Sequence, residues 1–450
     1  GGAGNDTLRF TATGADLAIT APEMESITGI ETIDASDDIA GYATSVTLGN
    51  GFFTSNGSSS IIYDGNDTTN NDSDNKLDLS SVSNGSATFY GNDADADVAD
   101  TFLGGSGDDT WIVTGTTAQI TGATDVYNGN GGTDRFLIVN TANTTSTIDF
   151  SNVTNVEKAV VQYNSTGAVV IALGSVATTD SEPSTFEVDG SAVTSSTGSL
   201  SFNNGNTDEI AMATAFTLKG GVNADTLAGG YQADTITGNG GADVLRGNTG
   251  NDTITGGSGA DTIGGGAGAD NITGLGGVDS IEAGTGNDTI SAGDGADYID
   301  GDAGKDTITT GAGRDTVHIS GITDSAGANF DTITDFVSAS DNIRITHDLV
   351  SDSQTFVLTD RGDTASEGTL PGIMGGVIGD AAFVTENSAF AIDFTGDGIV
   401  NANDLKIVAT GATAMSVDDF DMYLTTGDGS NTIKTAGGAD SITGGTDADT

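Results

Sequence analysis

Eleven aspartates spaced nine residues apart are the side chains in this sequence best placed to do chemistry. Asp225, Asp234, Asp243, Asp252, Asp261, Asp270, Asp279, Asp288, Asp297, Asp306 and Asp315 hold the sixth position of eleven gapless nonapeptides running from Gly220 to His318. A lone Asp in such a loop is most simply a turn residue bonded to its own backbone. Eleven without exception argue for more, because a plain turn accepts other residues, as the second and fifth positions here do. Carboxylates at the ~4.8 Å spacing of stacked strands repel by about 1 kcal/mol per pair in water and about 3.5 kcal/mol at an effective dielectric near 20. The segment 220–318 answers fourteen Asp and Glu282 with only Arg246, Lys305 and Arg314, so the counter-charge must come from outside. Hard oxygen donors with no His or Cys in the loops select Ca²⁺ over Zn²⁺.

The element that positions these carboxylates follows from the eighth position. It is apolar in every unit: Leu227, Ile236, Leu245, Ile254, Ile263, Ile272, Ile281, Ile290, Ile299, Ile308 and Val317. A short D-T-I-T strand with one inward aliphatic cannot stand alone, so neighbouring units must stack in register. The expected fold class is all-β, a parallel β-solenoid or β-roll. Glycine at the first, second and fourth positions lets the loops take positive φ and turns backbone carbonyls toward the carboxylates.

The wording G-G-x-G-x-D-x-U-x over these 99 residues resembles the repeats-in-toxin (RTX) calcium-binding proteins. That resemblance implies a right-handed parallel β-roll in which two nonapeptides make one turn, with Ca²⁺ between successive loops. It also implies type I secretion and folding driven by millimolar calcium outside the cell. Asn223 and Gln232 depart from Gly at the fourth position, and Leu275, Ala283, Ala292 and Thr310 at earlier ones; weaker binding is expected there. DTITDFVSASDNIRI (331–345) resembles the segment that closes the roll in this family, with Ile333, Phe336, Ile343 and Ile345 covering its open end.

Single copies of the unit recur elsewhere, adding Asp6, Asp100, Asp109, Asp134 and Asp440 as metal candidates. Between them the chain repeats loosely. ESITGIETIDAS (25–36) and SNVTNVEKAVV (151–161) share a pattern, with Glu31 and Glu157 in matching places, and LDLSSVSNGSATF (77–89) echoes VDGSAVTSSTGSLSF (188–202). Alternating Val, Ile and Thr separated by Asn, Gly and Ser predict irregular solenoid rungs. Over 1–220 this interleaving looks like bacterial surface-layer proteins of the RTX type. The expected domains are 1–94, an irregular solenoid opening with one repeat; 95–219, a short cluster plus solenoid; 220–345, the roll; 346–425, a small domain; and 426–450, the start of another roll. Gly1 and Thr450 both fall within repeats, so both natural termini are expected to lie further out.

A second calcium motif is DFTGDGIVNANDL. Asp393, Thr395, Asp397, the Ile399 carbonyl, Asn401 and Asp404 take positions 1, 3, 5, 7, 9 and 12 of an EF-hand-type loop, with Gly398 at its turn. The wording is similar to the loop of dockerin modules, but those carry two such loops and no second is evident, which argues against a cohesin-type partner. Asp93, Asp95 and Asp97 would share one face of an extended stretch and form either another calcium site or a solvated acidic loop.

Composition narrows the function. The 450 residues carry 12 Lys+Arg against 65 Asp+Glu, a net charge of −53, and 55 of the acids are Asp. Such a chain repels phosphate, so nucleic acid is not an expected partner. Without cysteine it has neither disulfides nor a thiolate metal site. No apolar run is long enough to span a membrane. No nucleophile elbow, P-loop or metalloprotease motif occurs, and His318 and His347 read as surface or packing residues, so no enzyme is expected. Trp111, at an eighth position, reads as core. Three functions fit: a structural protein of a surface layer (S-layer) or sheath, assembling with itself and reaching cell-surface polysaccharide or lipopolysaccharide through an anchor outside this sequence; a giant adhesin; or, least favoured, the calcium-rich carrier of a secreted protease, lipase or toxin. Each places the chain outside the cell.

Overall fold

A computed structural model of the chain describes residues 5–9, 17–24, 27–34, 44–50, 52, 60–64, 76–83, 85–91, 101–115, 126–140, 146–149, 153–163, 169–172, 185–191, 200–203, 215–320, 331–337, 340–349, 355–364, 378–384, 389–393, 405–409, 420–426, 432–434 and 441–443. Their regular structure is almost entirely β-strand, with a four-residue helix at Ala21–Met24. The chain divides into two compact units, Gly1–Asn239 and Gly240–Thr450.

The first unit is a stack of parallel coils. Thr7 pairs with Thr32, Thr32 with Ile62, Thr88 with Thr110, Thr110 with Arg135 and Arg135 with Lys158, so a coil takes from 22 to 30 residues. A second row of parallel strands runs through Leu17–Ile19, Thr44–Thr47, Lys76–Asp78, Thr101–Leu103 and Val126–Asn128. Strand alternation sends every second side chain inward, and the inward ones here are large: Ile33, Leu77, Phe89, Phe102, Trp111, Phe136, Val188 and Phe202 are at most 2% exposed. Trp111 is core, as its eighth position predicted, stacked between Phe89 and Phe136 of the flanking coils at centroid distances of 5.2 and 5.3 Å. Such contacts add about 0.5–1.5 kcal/mol each beyond area burial.

Several carboxylates outside the nonapeptide loops of this unit have cations of their own. Arg9 reaches Asp34 at 2.7 Å, Lys158 bridges Glu187 and Asp189 at 3.1 and 3.3 Å, and Lys219 closes on Glu187 at 2.6 Å. The echo between 77–89 and 188–202 has a local basis: Asp78 and Asp189 each accept hydrogen bonds from the backbone N–H and hydroxyl of the serine two residues on.

In the second unit the coil shortens to 18 residues, two nonapeptides per turn. Thr253 pairs with Asn271, Asn271 with Thr289 and Thr289 with Thr307; in the other row Thr262 pairs with Ser280 and Ser280 with Tyr298. Ile254, Ile272, Ile290 and Ile308 form one fully buried row, and Leu245, Ile263, Ile281, Ile299 and Val317 the facing one. Each such side chain contributes about 1.5–3 kcal/mol of burial. The strands are longer than the D-T-I-T core suggests: Thr253–Ser258 and Thr262–Ala267 run on through the next unit's first three residues. Glycine is a poor strand former, yet parallel register with the coil one turn away holds it here. Gly268 shows the constraint: its φ is +142° and a Cβ there would lie 1.5 Å from the Gly250 carbonyl oxygen.

Ile333, Phe336, Ile343 and Ile345 of segment 331–345 are buried, as expected of residues at the end of the nonapeptide array. Asp331–Ile333 pairs with Ile407, Val408 and Ala409, and Ile343 pairs with Phe420, so further strands stack on the segment.

Candidate metal centre

The aspartates form a ladder between coils. The backbone N–H of Asp243 donates to Asp261 Oδ1 at 2.8 Å, Asp261 to Asp279, Asp279 to Asp297, and Asp297 to Asp315 at 2.9 Å. On the opposite edge Asp252 donates to Asp270, Asp270 to Asp288 and Asp288 to Asp306, at 2.7–2.8 Å. The ladder extends to two residues the nonapeptide spacing does not reveal: Asp306 donates to Asp331 and Asp315 to Asp341, 25 and 26 residues on.

One oxygen of each of these carboxylates is thereby used. In eight aspartates the other is stranded: Oδ2 of Asp134, Asp261, Asp270, Asp279, Asp288, Asp297, Asp306 and Asp315 is buried with no hydrogen-bond partner. A buried acceptor without a partner costs about 1–3 kcal/mol, and a charged one more. The carboxyls respond accordingly. Burial pushes Asp134 up to about 8 and Asp279, Asp288 and Asp315 up to about 6, and raises Asp261, Asp270, Asp297 and Asp306 as well. Repulsion between ladder carboxylates contributes at Asp134, Asp279, Asp288 and Asp306, but desolvation is the larger cause throughout. The demand for positive charge thus comes from burial before it comes from repulsion.

The surroundings suit a hard cation. On the bare side of Gly265 a Cβ would meet the Ala283 carbonyl oxygen at 2.4 Å and Asp270 Oδ2 at 2.5 Å; beside Gly274 it would meet Ala292 O and Asp279 Oδ2 at 2.4 and 2.5 Å. Carboxylate and carbonyl oxygens therefore converge where a side chain would otherwise sit. Ala283, Ala292 and Thr310 hold this position in their own units and are fully buried, so a side chain fills the cradle in those three. Among the described residues no group of three or more His, Cys, Asp or Glu side chains comes together. An ion here would rely on one or two carboxylates plus backbone carbonyls, a Ca²⁺-type donor set.

In the first unit Asp109 and Asp134 occupy equivalent places. Asp109 N–H donates to Asp134 Oδ1 at 2.6 Å, and Asp134 N–H to Glu157 Oε2 at 2.6 Å. Asp6, half-buried, donates to Glu31 Oε2 at 2.8 Å. The matched glutamates of the two loose repeats are thus ladder members, a role the sequence pattern shows as an echo without revealing its use.

Asp225 and Asp234 are buried like the rest. Asp100 and Asp440 lie outside the described residues, as do Asp93, Asp95, Asp97, Thr395, Asp397, Ile399, Asn401 and Asp404. Asp393 ends a strand, and Ile392 pairs antiparallel with Leu405, so the EF-hand-type sequence joins two strands rather than two helices. His318 ties three coils together: Nδ1 lies 2.6 Å from Asp300 Oδ2 and Nε2 2.9 Å from Thr346 Oγ1. His347 has no described side chain.

These loops match a known family. The sequence model of the RTX calcium-binding nonapeptide repeat, four copies long, matches residues 219–254, 237–272, 246–281, 273–308, 282–317 and 423–450. Those segments carry RTX calcium-binding nonapeptide repeats, which point to a calcium-binding protein in an extracellular, secreted setting. No curated protein matches the chain. Among the described residues no helix is long and apolar enough to cross a membrane.

Proposed function

We propose that this is a non-catalytic structural protein of the bacterial cell surface, exported by type I secretion, that folds on Ca²⁺ and joins copies of itself into a surface layer or sheath. The observation that carries the reading is the file of stranded, buried Oδ2 atoms between stacked coils. Bound Ca²⁺ supplies the positive charge that these oxygens and the nearby carbonyls lack. Asp134, Asp261, Asp270, Asp279 and Asp306, whose units keep glycine in the cradle, would hold it, and the Oδ1 atoms of the ladder aspartates keep adjacent coils in register.

Self-repulsion at −53 and the entropy of a glycine-rich chain keep the calcium-free segment open. Millimolar calcium then shifts the equilibrium to the closed coils by mass action. A structural role is favoured over a carrier because the same ladder chemistry recurs from Asp6 to Asp341. Attachment to cell-surface polysaccharide or lipopolysaccharide through a segment outside this sequence belongs to the same reading.

The test is negative-stain imaging of dilute full-length chain as Ca²⁺ is raised to millimolar. Ordered two-dimensional sheets or sheaths support the lattice role; monomers at every calcium level would favour an adhesin.

A further inference from the structure

The ladder carboxylates fall into two classes. In Asp109, Asp225 and Asp234 the second oxygen is not stranded: Oδ2 accepts the backbone N–H of the unit's own second-position glycine, Gly105 at 2.9 Å, Gly221 at 2.6 Å and Gly230 at 2.5 Å. In the stranded class the second-position residue has a left-handed φ instead, whether or not it is glycine: Asn130 at 62°, Gly266 at 110°, Leu275 at 76° and Asp302 at 56°. Gly105, Gly221 and Gly230 have no such φ. The left-handed turn is the backbone difference that accompanies loss of this contact.

The classes also differ in what precedes them. Stranded members take their Oδ1 hydrogen bond from the N–H of a ladder aspartate one coil earlier, as Asp134 does from Asp109 and Asp279 from Asp261. Asp109 and Asp234 take it from Ala87 and Phe216, which belong to no nonapeptide loop. Asp341 is closed as well, its Oδ2 accepting the Val337 N–H at 2.8 Å although it follows the Asp315 loop, so a self-capped carboxylate also ends the ladder.

We infer that Asp109, Asp225 and Asp234 are self-capped positions that take no calcium, and that after Asp109 ion binding begins one ladder step later, at Asp134. This inference rests on the calcium reading above. The Asp109 loop gives the Asp134 loop a preformed platform, because its carboxylate is satisfied by the chain's own amides before any ion arrives.

The experiment counts ions on the calcium-saturated full chain by native mass spectrometry, with circular dichroism confirming that each variant is folded. Asp225→Asn and Asp234→Asn are expected to keep the wild-type count, whereas Asp270→Asn and Asp279→Asn each lower it by at least one. A drop at Asp225 or Asp234 equal to that at Asp270 would overturn the inference. Loss of no ions at Asp270 and Asp279 would instead sink the calcium reading itself. A second measurement needs no substitution: in saturating Ca²⁺ the amides of Gly105, Gly221 and Gly230 should remain protected from hydrogen exchange. Exchange there at the rate of an unbonded amide would mean that the ion has taken their acceptors.

Discussion

The backbone N–H of Asp134 donates to Glu157 Oε2 at 2.6 Å, the same contact that Asp109 makes to Asp134 Oδ1 one coil earlier. Glutamate, one methylene longer, therefore continues a ladder otherwise built from aspartate. Removing it strands a part-buried amide, at about 1–3 kcal/mol. Glu157→Ala should lower the urea midpoint of unfolding accordingly, and Glu157→Gln, which retains an amide oxygen as acceptor, should lose less.

Without metal, the ladder makes the protein prefer acid. The folded carboxyls titrate above the ordinary Asp value of 3.8, about 6 at Asp279, Asp288 and Asp315 and about 8 at Asp134. The folded state thus holds more protons than the unfolded one between these values, and stability falls as pH rises through them. In calcium-free buffer the β signal should be strongest near pH 4 and be lost toward neutral pH, while in millimolar Ca²⁺ it should persist across the range. A calcium-free β signal that grows as pH rises from 4 to 8 would refute the assignment.

Packing in the roll predicts opposite effects for two apolar residues. Ile290 is fully buried, and Ile290→Ala should cost about 2–5 kcal/mol. Leu275 is half exposed and holds a left-handed φ of 76°, which disfavours any side chain. Leu275→Gly should therefore leave stability unchanged or raise it by up to about 1 kcal/mol, read from denaturant midpoints with Ca²⁺ present.

His318 predicts a local effect. Its two ring nitrogens face Asp300 and Thr346 across three coils. His318→Ala should cost about 1–3 kcal/mol and speed hydrogen exchange in strand Asn342–Leu349 before it affects strand Thr253–Ser258.

Much of this was legible because both periodicities are strict. The eighth-position aliphatics form the two core rows, and the sixth-position aspartates form the ladder. Trp111 followed the same rule in an isolated copy. The ladder's ends were not legible, since Asp331 and Asp341 come 25 and 26 residues after their partners instead of 18, and Glu157 differs in type. Strand length was hidden because glycine-rich positions read as loop when register, not propensity, decides them. The self-capped class was hidden too: Gly105 and Gly266 are the same residue at the same position, and only φ separates them.

The central claim is that divalent ions join successive coils by neutralising stranded Asp oxygens. The most direct measurement is far-UV circular dichroism of the full chain at neutral pH, first in chelator and then on titration with Ca²⁺, with bound ions counted in parallel. The account predicts that β signal is lost in chelator and returns cooperatively as several ions bind. A β spectrum unchanged by chelator, with no ions bound on addition of Ca²⁺, would contradict it.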